Sequence, residues 1–162
     1  MKLPAPAPHE TLALKNYSNA LQSTETSART CVRGVRLTHQ PDTDALIAAS
    51  AIYQDAQGAW HDLDLRFHTQ ADGGRKLTPT PETTNAAPTH EYLGAIKHLS
   101  EIIRSAIGFY RVRITTAIED GHDRAEASSH VMTVLNTIAI KSLGDTRPAV
   151  IANQDKNLIP AS

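Results

Sequence analysis

The chain has 162 residues, a formal net charge of −1, 40% hydrophobic residues and 20% charged residues. That length and balance fit one globular domain, 1–162, and exclude a chain drawn to nucleic acid by its overall charge. One cysteine, Cys31, excludes an internal disulfide, and no apolar run reaches the length of about 18 residues that a membrane span needs.

Any RNA or DNA contact must therefore come from a local patch. The lone cysteine points to a reducing, intracellular setting. The start, MKLPAPAPHE, lacks the apolar core of a signal peptide. Residues 1–8 read as an extended arm, because Pro4, Pro6 and Pro8 fix the backbone and remove donors. The stretch 9–17 alternates as a strand does, although Leu14, Tyr17 and Leu21 also fit a helical stripe; the strand is the reading adopted. Residues 18–27 are rich in Ser and Thr and read as a loop or a weak hairpin arm.

A three-strand meander follows. Residues 29–39 are rich in β-branched side chains and stop before Pro41, and 45–54 form the second strand. Asp55 to Gly58 supplies turn chemistry. In the third strand, 59–69, Leu63, Leu65 and Phe67 face one way, while Asp62, Asp64, Arg66 and His68 face the other. Residues 71–88 read as a loop by their Gly and Pro content. Residues 89–107 predict a helix: Tyr92, Leu93, Ile96, Leu99, Ile102, Ile103 and Ala106 recur at helical steps, Thr89 can cap it and Gly108 can end it.

Period two then returns over 109–118, predicting a strand that presents Arg111, Arg113 and Thr115 on one face. Asp123, with Glu126 three residues on, predicts the start of a second long helix. Ala125, Ser128, Val131, Met132, Leu135, Ile138, Ala139 and Leu143 make its buried stripe. Val134 and Ile140 lie off that stripe, so the apolar arc is wider than one sheet face needs. Gly144 ends the helix, and Pro148 opens a short closing one.

No HExxH, CxxC or other metal or catalytic motif is present, so neither a metal nor a cofactor is expected, and no enzymatic role. The eight histidines are scattered; His90 and His98, eight apart on one helix, are the nearest to a pair. Asp62 and Asp64 share a strand face, where a solvated face is a simpler account than acid–base work. Arg111 and Arg113, roughly 7 Å apart along a strand, suit successive phosphates. They equally suit ion pairs with a neighbouring strand, Asp62 and Asp64 included.

The last third resembles the coat proteins of single-stranded RNA bacteriophages. The matching residues are Tyr110 to Ile118 as the last strand, Glu119-Asp120-Gly121 as an acidic turn, and Asp123-Arg124-Ala125-Glu126 opening a long helix. Leu143-Gly144-Asp145 makes the break, Pro148 to Ala152 the short helix, and Asn157 to Ala161 the end. The upstream strands resemble the family's meander in order, so about two-thirds of the chain is covered, by pattern more than by identity.

The resemblance implies an α+β fold: an antiparallel meander with C-terminal helices on one face, crossing over a dimer partner, plus one additional helix at 89–107. It implies an interlocked homodimer that builds an icosahedral virion shell around single-stranded RNA in a bacterial host, and that also binds an RNA hairpin as a translational repressor. By position, the RNA-facing side chains would be Arg66, His68, Arg111, Arg113 and Thr115, with Arg33 or Arg36 joining. Three features depart from the family: the helix at 89–107, the carboxylates of Asp62 and Asp64 on the inward face, and the missing N-terminal hairpin. Were 9–27 helical, the order helix, three strands, helix would resemble double-stranded-RNA-binding domains instead, although the Lys-rich helix start of that family is missing. Arg33-Gly34 to Leu65 also faintly resembles half of a cyanovirin-like lectin.

Overall fold

The computed structural model describes residues 3–22, 32–40, 46–80 and 89–144. Its elements run α1 (Pro8–Leu21), β1 (Arg33–His39), β2 (Ile47–Gln54), β3 (Trp60–Thr69), β4 (Arg75–Pro79), α2 (His90–Glu119) and α3 (Arg124–Leu143). The four strands form one antiparallel sheet in the order β1-β2-β3-β4. The fold class is α+β, with the meander that the turn chemistry predicts.

The sheet register fixes two faces. Leu37 lies opposite Ala49 and Ala49 opposite Leu65; Ala51 lies opposite Leu63. These residues join Leu77 and the apolar faces of the three helices in one core. Because side chains alternate along a strand, Arg36, Ser50 and Asp64 line the opposite face. A bulge between Arg33 and Arg36 preserves that alternation, with Gly34 at φ 57 taking the left-handed conformation that a side chain would resist.

Three predictions need correction. Residues 9–17 are helical, not extended, and the helix continues to Leu21, through the first four residues of the stretch read as a loop from 18. Pro8 opens α1, and Glu10 Oε1 accepts a hydrogen bond of 3.0 Å from the Ala7 N–H. Buried Glu10, Tyr17 and Leu21 lie on one helical face, so the 3.6-residue stripe prevailed over the short alternation. The predicted loop at 71–88 contains β4. A tight turn with Gly73 at φ 86 returns the chain, and Leu77 reaches the core.

The third correction is the largest. Residues 109–118 are not a strand; α2 runs unbroken through Gly108 to Glu119, 30 residues and about 45 Å. Thr89 caps it as predicted, its hydroxyl accepting from the Tyr92 N–H at 3.1 Å. Gly108 sits on an exposed face, where a helical glycine costs about 1 kcal/mol relative to alanine. Against that, Phe109, Tyr110 and Ile114 are buried, each contributing about 1.5–3 kcal/mol. The helix wins because its far half has its own apolar stripe.

The second long helix begins where predicted. Asp123 Oδ2 accepts from the Glu126 N–H at 3.1 Å, and Gly144, at φ 79, ends α3. Ala127, Val131, Leu135 and Ala139 are buried; Met132, Val134 and Ile138 are half-buried; Ile140 is 38% exposed. The wide apolar arc is thus only partly covered by this chain's own core. The predicted short helix at Pro148, and Cys31, lie outside the described residues. Among the described residues, no helix is long and apolar enough to cross a membrane.

Candidate nucleic-acid interface

The described helices all pack on the core side of the sheet. The other face is built by register. One row runs Arg36, Ser50, Asp64, and the next Arg33, Ile52, Asp62; towards the β4 edge stand Arg66 opposite Thr78 and His68 opposite Lys76. Four cations (Arg33, Arg36, Arg66 and Lys76) face two carboxylates (Asp62 and Asp64), a balance of +2 where the whole chain carries −1. Arg36, Asp62 and Asp64 are each engaged within the protein, which spends part of that charge internally. Arg66 and Lys76 are exposed on neighbouring strands as a diagonal pair, roughly 7 Å apart. One stretch of a phosphate backbone spans that distance. The indole of Trp60 lies on the same face.

The six predicted contact residues therefore separate. Arg36, Arg66 and His68 share the outer sheet face. Arg111 and Thr115 are exposed on α2, one turn apart, with the Thr115 hydroxyl donating to the Arg111 carbonyl at 2.9 Å. Arg113 is 8% exposed and belongs to the interior. Its Nη1 donates to Glu10 Oε2 at 2.8 Å and its Nη2 to the Pro4 carbonyl at 2.9 Å. The expected three-residue basic strand face does not form, because a helix turns Arg113 away from Arg111. Arg113 does pair with a carboxylate, but Glu10 on α1 rather than Asp62 or Asp64. Burial pushes the Glu10 carboxyl up, while the bonds from Arg113 and the Ala7 N–H more than offset it and hold it below the ordinary range.

His68 shows a different cost: its Nε2 is buried without a hydrogen-bond partner. An orphaned polar atom is destabilising. His68→Leu is expected to raise stability by about 1 kcal/mol, measured by urea denaturation, with no gain if the nitrogen is satisfied in solution.

Described residues also line two concavities away from this face. An open groove of about 790 Å³ runs between Leu37–His39 on β1 and Asp123–Met132 on α3, with Tyr110 as part of its wall. Beside it, the Asn136 amide accepts from the Leu37 N–H at 2.8 Å and donates to the Leu37 carbonyl at 2.9 Å. That side chain stands in for a neighbouring strand and blocks pairing at the β1 edge. The second concavity, about 320 Å³, is bordered by Tyr53, Asp55, His61, Thr89 and Glu91. Asp55 Oδ1 accepts from the Gln57 and Ala59 N–H groups and Oδ2 meets His61 Nε2 at 2.7 Å, so the hairpin turn consumes the carboxylate. Burial, with Tyr92, Asp55 and Glu91 adding to it, pushes the Tyr53 phenol up to about 12. The described residues hold no group of three metal-ligating side chains. His90 is exposed while His98 is buried, so the two do not form a pair.

The pairing roles of Glu10, His98 and Asn136 were not legible in the sequence. The signal for each was a polar residue set within an apolar helical stripe.

Compared with protein-family models, curated proteins and solved structures, the chain gives no match.

Proposed function

We propose that this is a non-enzymatic, coat-type protein: a self-associating α+β domain that assembles into a shell and turns the outer face of its sheet towards single-stranded RNA. One observation carries the reading. An antiparallel meander is followed by two long helices that pack on one sheet face, with α1 against those helices, leaving Arg66 and Lys76 exposed on the other face. Uncovered apolar side chains support self-association: Leu12 on α1, Leu93 and Ile118 on α2, and Ile140 on α3 are each at least 38% exposed. The β4 edge supports it too, with backbone groups of Leu77 pointing away from β3. The local match at 110–118 no longer contributes, since that stretch is helical.

The test combines light scattering, negative-stain microscopy and the absorbance ratio of purified particles. Dimers or larger shells containing RNA are expected. Arg66→Ala with Lys76→Ala should reduce bound RNA several-fold, with a shallower salt dependence, and leave assembly intact. A monomer that carries no nucleic acid would overturn the proposal.

A second reading is favoured by one finding: α1 precedes the strands, so the order is helix, strands, helix, as in double-stranded-RNA-binding modules. Here the second helix starts with His90 and Glu91 rather than lysines. Binding to a duplex of about 16 base pairs, in preference to a single strand, would support it.

A further inference from the structure

We infer that acid opens the junction between α1 and β1 by protonating His98, whatever the protein's partners are. His98 is 1% exposed, on the core face of α2. Its Nδ1 accepts from the Val32 N–H at 3.2 Å, and its Nε2 lies 2.9 Å from the Ala20 carbonyl oxygen. An amide N–H only donates and a carbonyl only accepts, so the ring is neutral with its proton on Nε2. One imidazole therefore clasps the last turn of α1 to the residue that leads into β1. Both ends of the connection between these elements rest on it.

A second proton would occupy Nδ1, where the acceptor lone pair now is. The Val32 N–H and the new N–H would then face each other as two donors, and the clasp on β1 would be lost. Arg33 on β1 disfavours the added charge, while Glu101, one turn along α2, favours it; α1 contributes only the carbonyl oxygens of Ala20 and Leu21. Burial is the largest influence and holds the ring below its ordinary 6.5.

The sign follows from linkage. The opened state takes up a proton near pH 6.5, and the closed state only at lower pH. Between those two values the opened state binds more protons, so opening becomes about tenfold more favourable for each pH unit lost. Above pH 6.5 the clasp holds fully.

Amide hydrogen exchange on the whole chain tests this, with rates corrected for the intrinsic effect of pH. From pH 7.5 to 5, protection at Val32 is expected to fall once below 6.5, by up to about tenfold per unit, while Leu99 and Ile102 in the middle of α2 stay protected. His98→Gln can donate to Ala20 and accept from Val32 without titrating, and its Val32 profile is expected to be flat. Should that variant fail to fold, the ring-proton NMR shift of His98 in the natural chain decides: it must titrate below 6.5, in step with the loss at Val32. Unchanged protection at Val32, uniform loss across the core, or His98 titrating while Val32 stays protected would each overturn the inference.

Discussion

Arg113→Ala is expected to destabilise the protein by about 3–5 kcal/mol, the loss typical when one partner of a buried ion pair is removed. Glu10, 1% exposed, would keep its charge with only the Ala7 N–H and lesser contacts to offset burial, and the Pro4 carbonyl would lose its donor. Arg111→Ala, two residues earlier and exposed, should stay within about 0.5 kcal/mol. Urea denaturation of the two variants separates an interior arginine from a surface one. Equal, small effects would mean that both guanidiniums face solvent, as the strand reading required. Replacing Glu10 and Arg113 together by leucine should recover most of the loss, because no buried charge is left alone.

The same pair sets an acid limit. The carboxyl of Glu10 is lowered in the folded state from an ordinary value of 4.5. Its contribution is therefore present above that value and lost as pH falls through the lower, folded one. This window opens at about 4.5, whereas that of His98 opens at about 6.5. Acid should act first at the α1–β1 junction and only later on the fold as a whole.

Leu135→Ala is the second large effect, an expected loss of about 2–5 kcal/mol for a leucine buried in a close-packed site. Leu135 is fully buried on α3, and its carbonyl accepts from the Tyr17 hydroxyl of α1 at 2.8 Å. Here α3 packs against α1, α2 and β1 of its own chain. The loss should then be independent of protein concentration. An interlocked dimer, in which α3 packs on a partner instead, would leave no folded monomer on dilution. Urea denaturation of both proteins, diluted until light scattering shows monomers, distinguishes these arrangements: the natural chain stays folded and the variant shows its loss only where α3 packs within its own chain.

Local chemistry made much of the fold legible. The alternation of Leu63, Leu65 and Phe67 against Asp62, Asp64 and Arg66 defined β3 and both of its faces. The hydroxyl of Thr89 and the carboxylate of Asp123 marked two helix starts, because capping is satisfied within one turn. Short stretches with two possible periods were not decided locally. Residues 11–16 and 109–118 alternate well enough for strands, yet their apolar positions also close a helical stripe. The outcome depended on what lay opposite. In α1 the partners were Arg113 and the Leu135 carbonyl; in the far half of α2 they were Glu10 and Ser128, whose hydroxyl meets the Tyr110 hydroxyl at 2.8 Å.

By itself, the sequence determined an α+β chain with an antiparallel meander, two cap-defined helix starts and a β3 with one wet face. Those features arise from side-chain alternation and from hydrogen bonds a few residues apart. Tertiary structure alone decided that Arg113 is an interior ion-pair partner, that His98 joins α1 to β1, that Asn136 guards an edge, and that Lys76 stands diagonal to Arg66 on the outer sheet face. Each of these pairings joins groups distant along the chain. Burial and charge fix such pairings only once the helices and strands have come together.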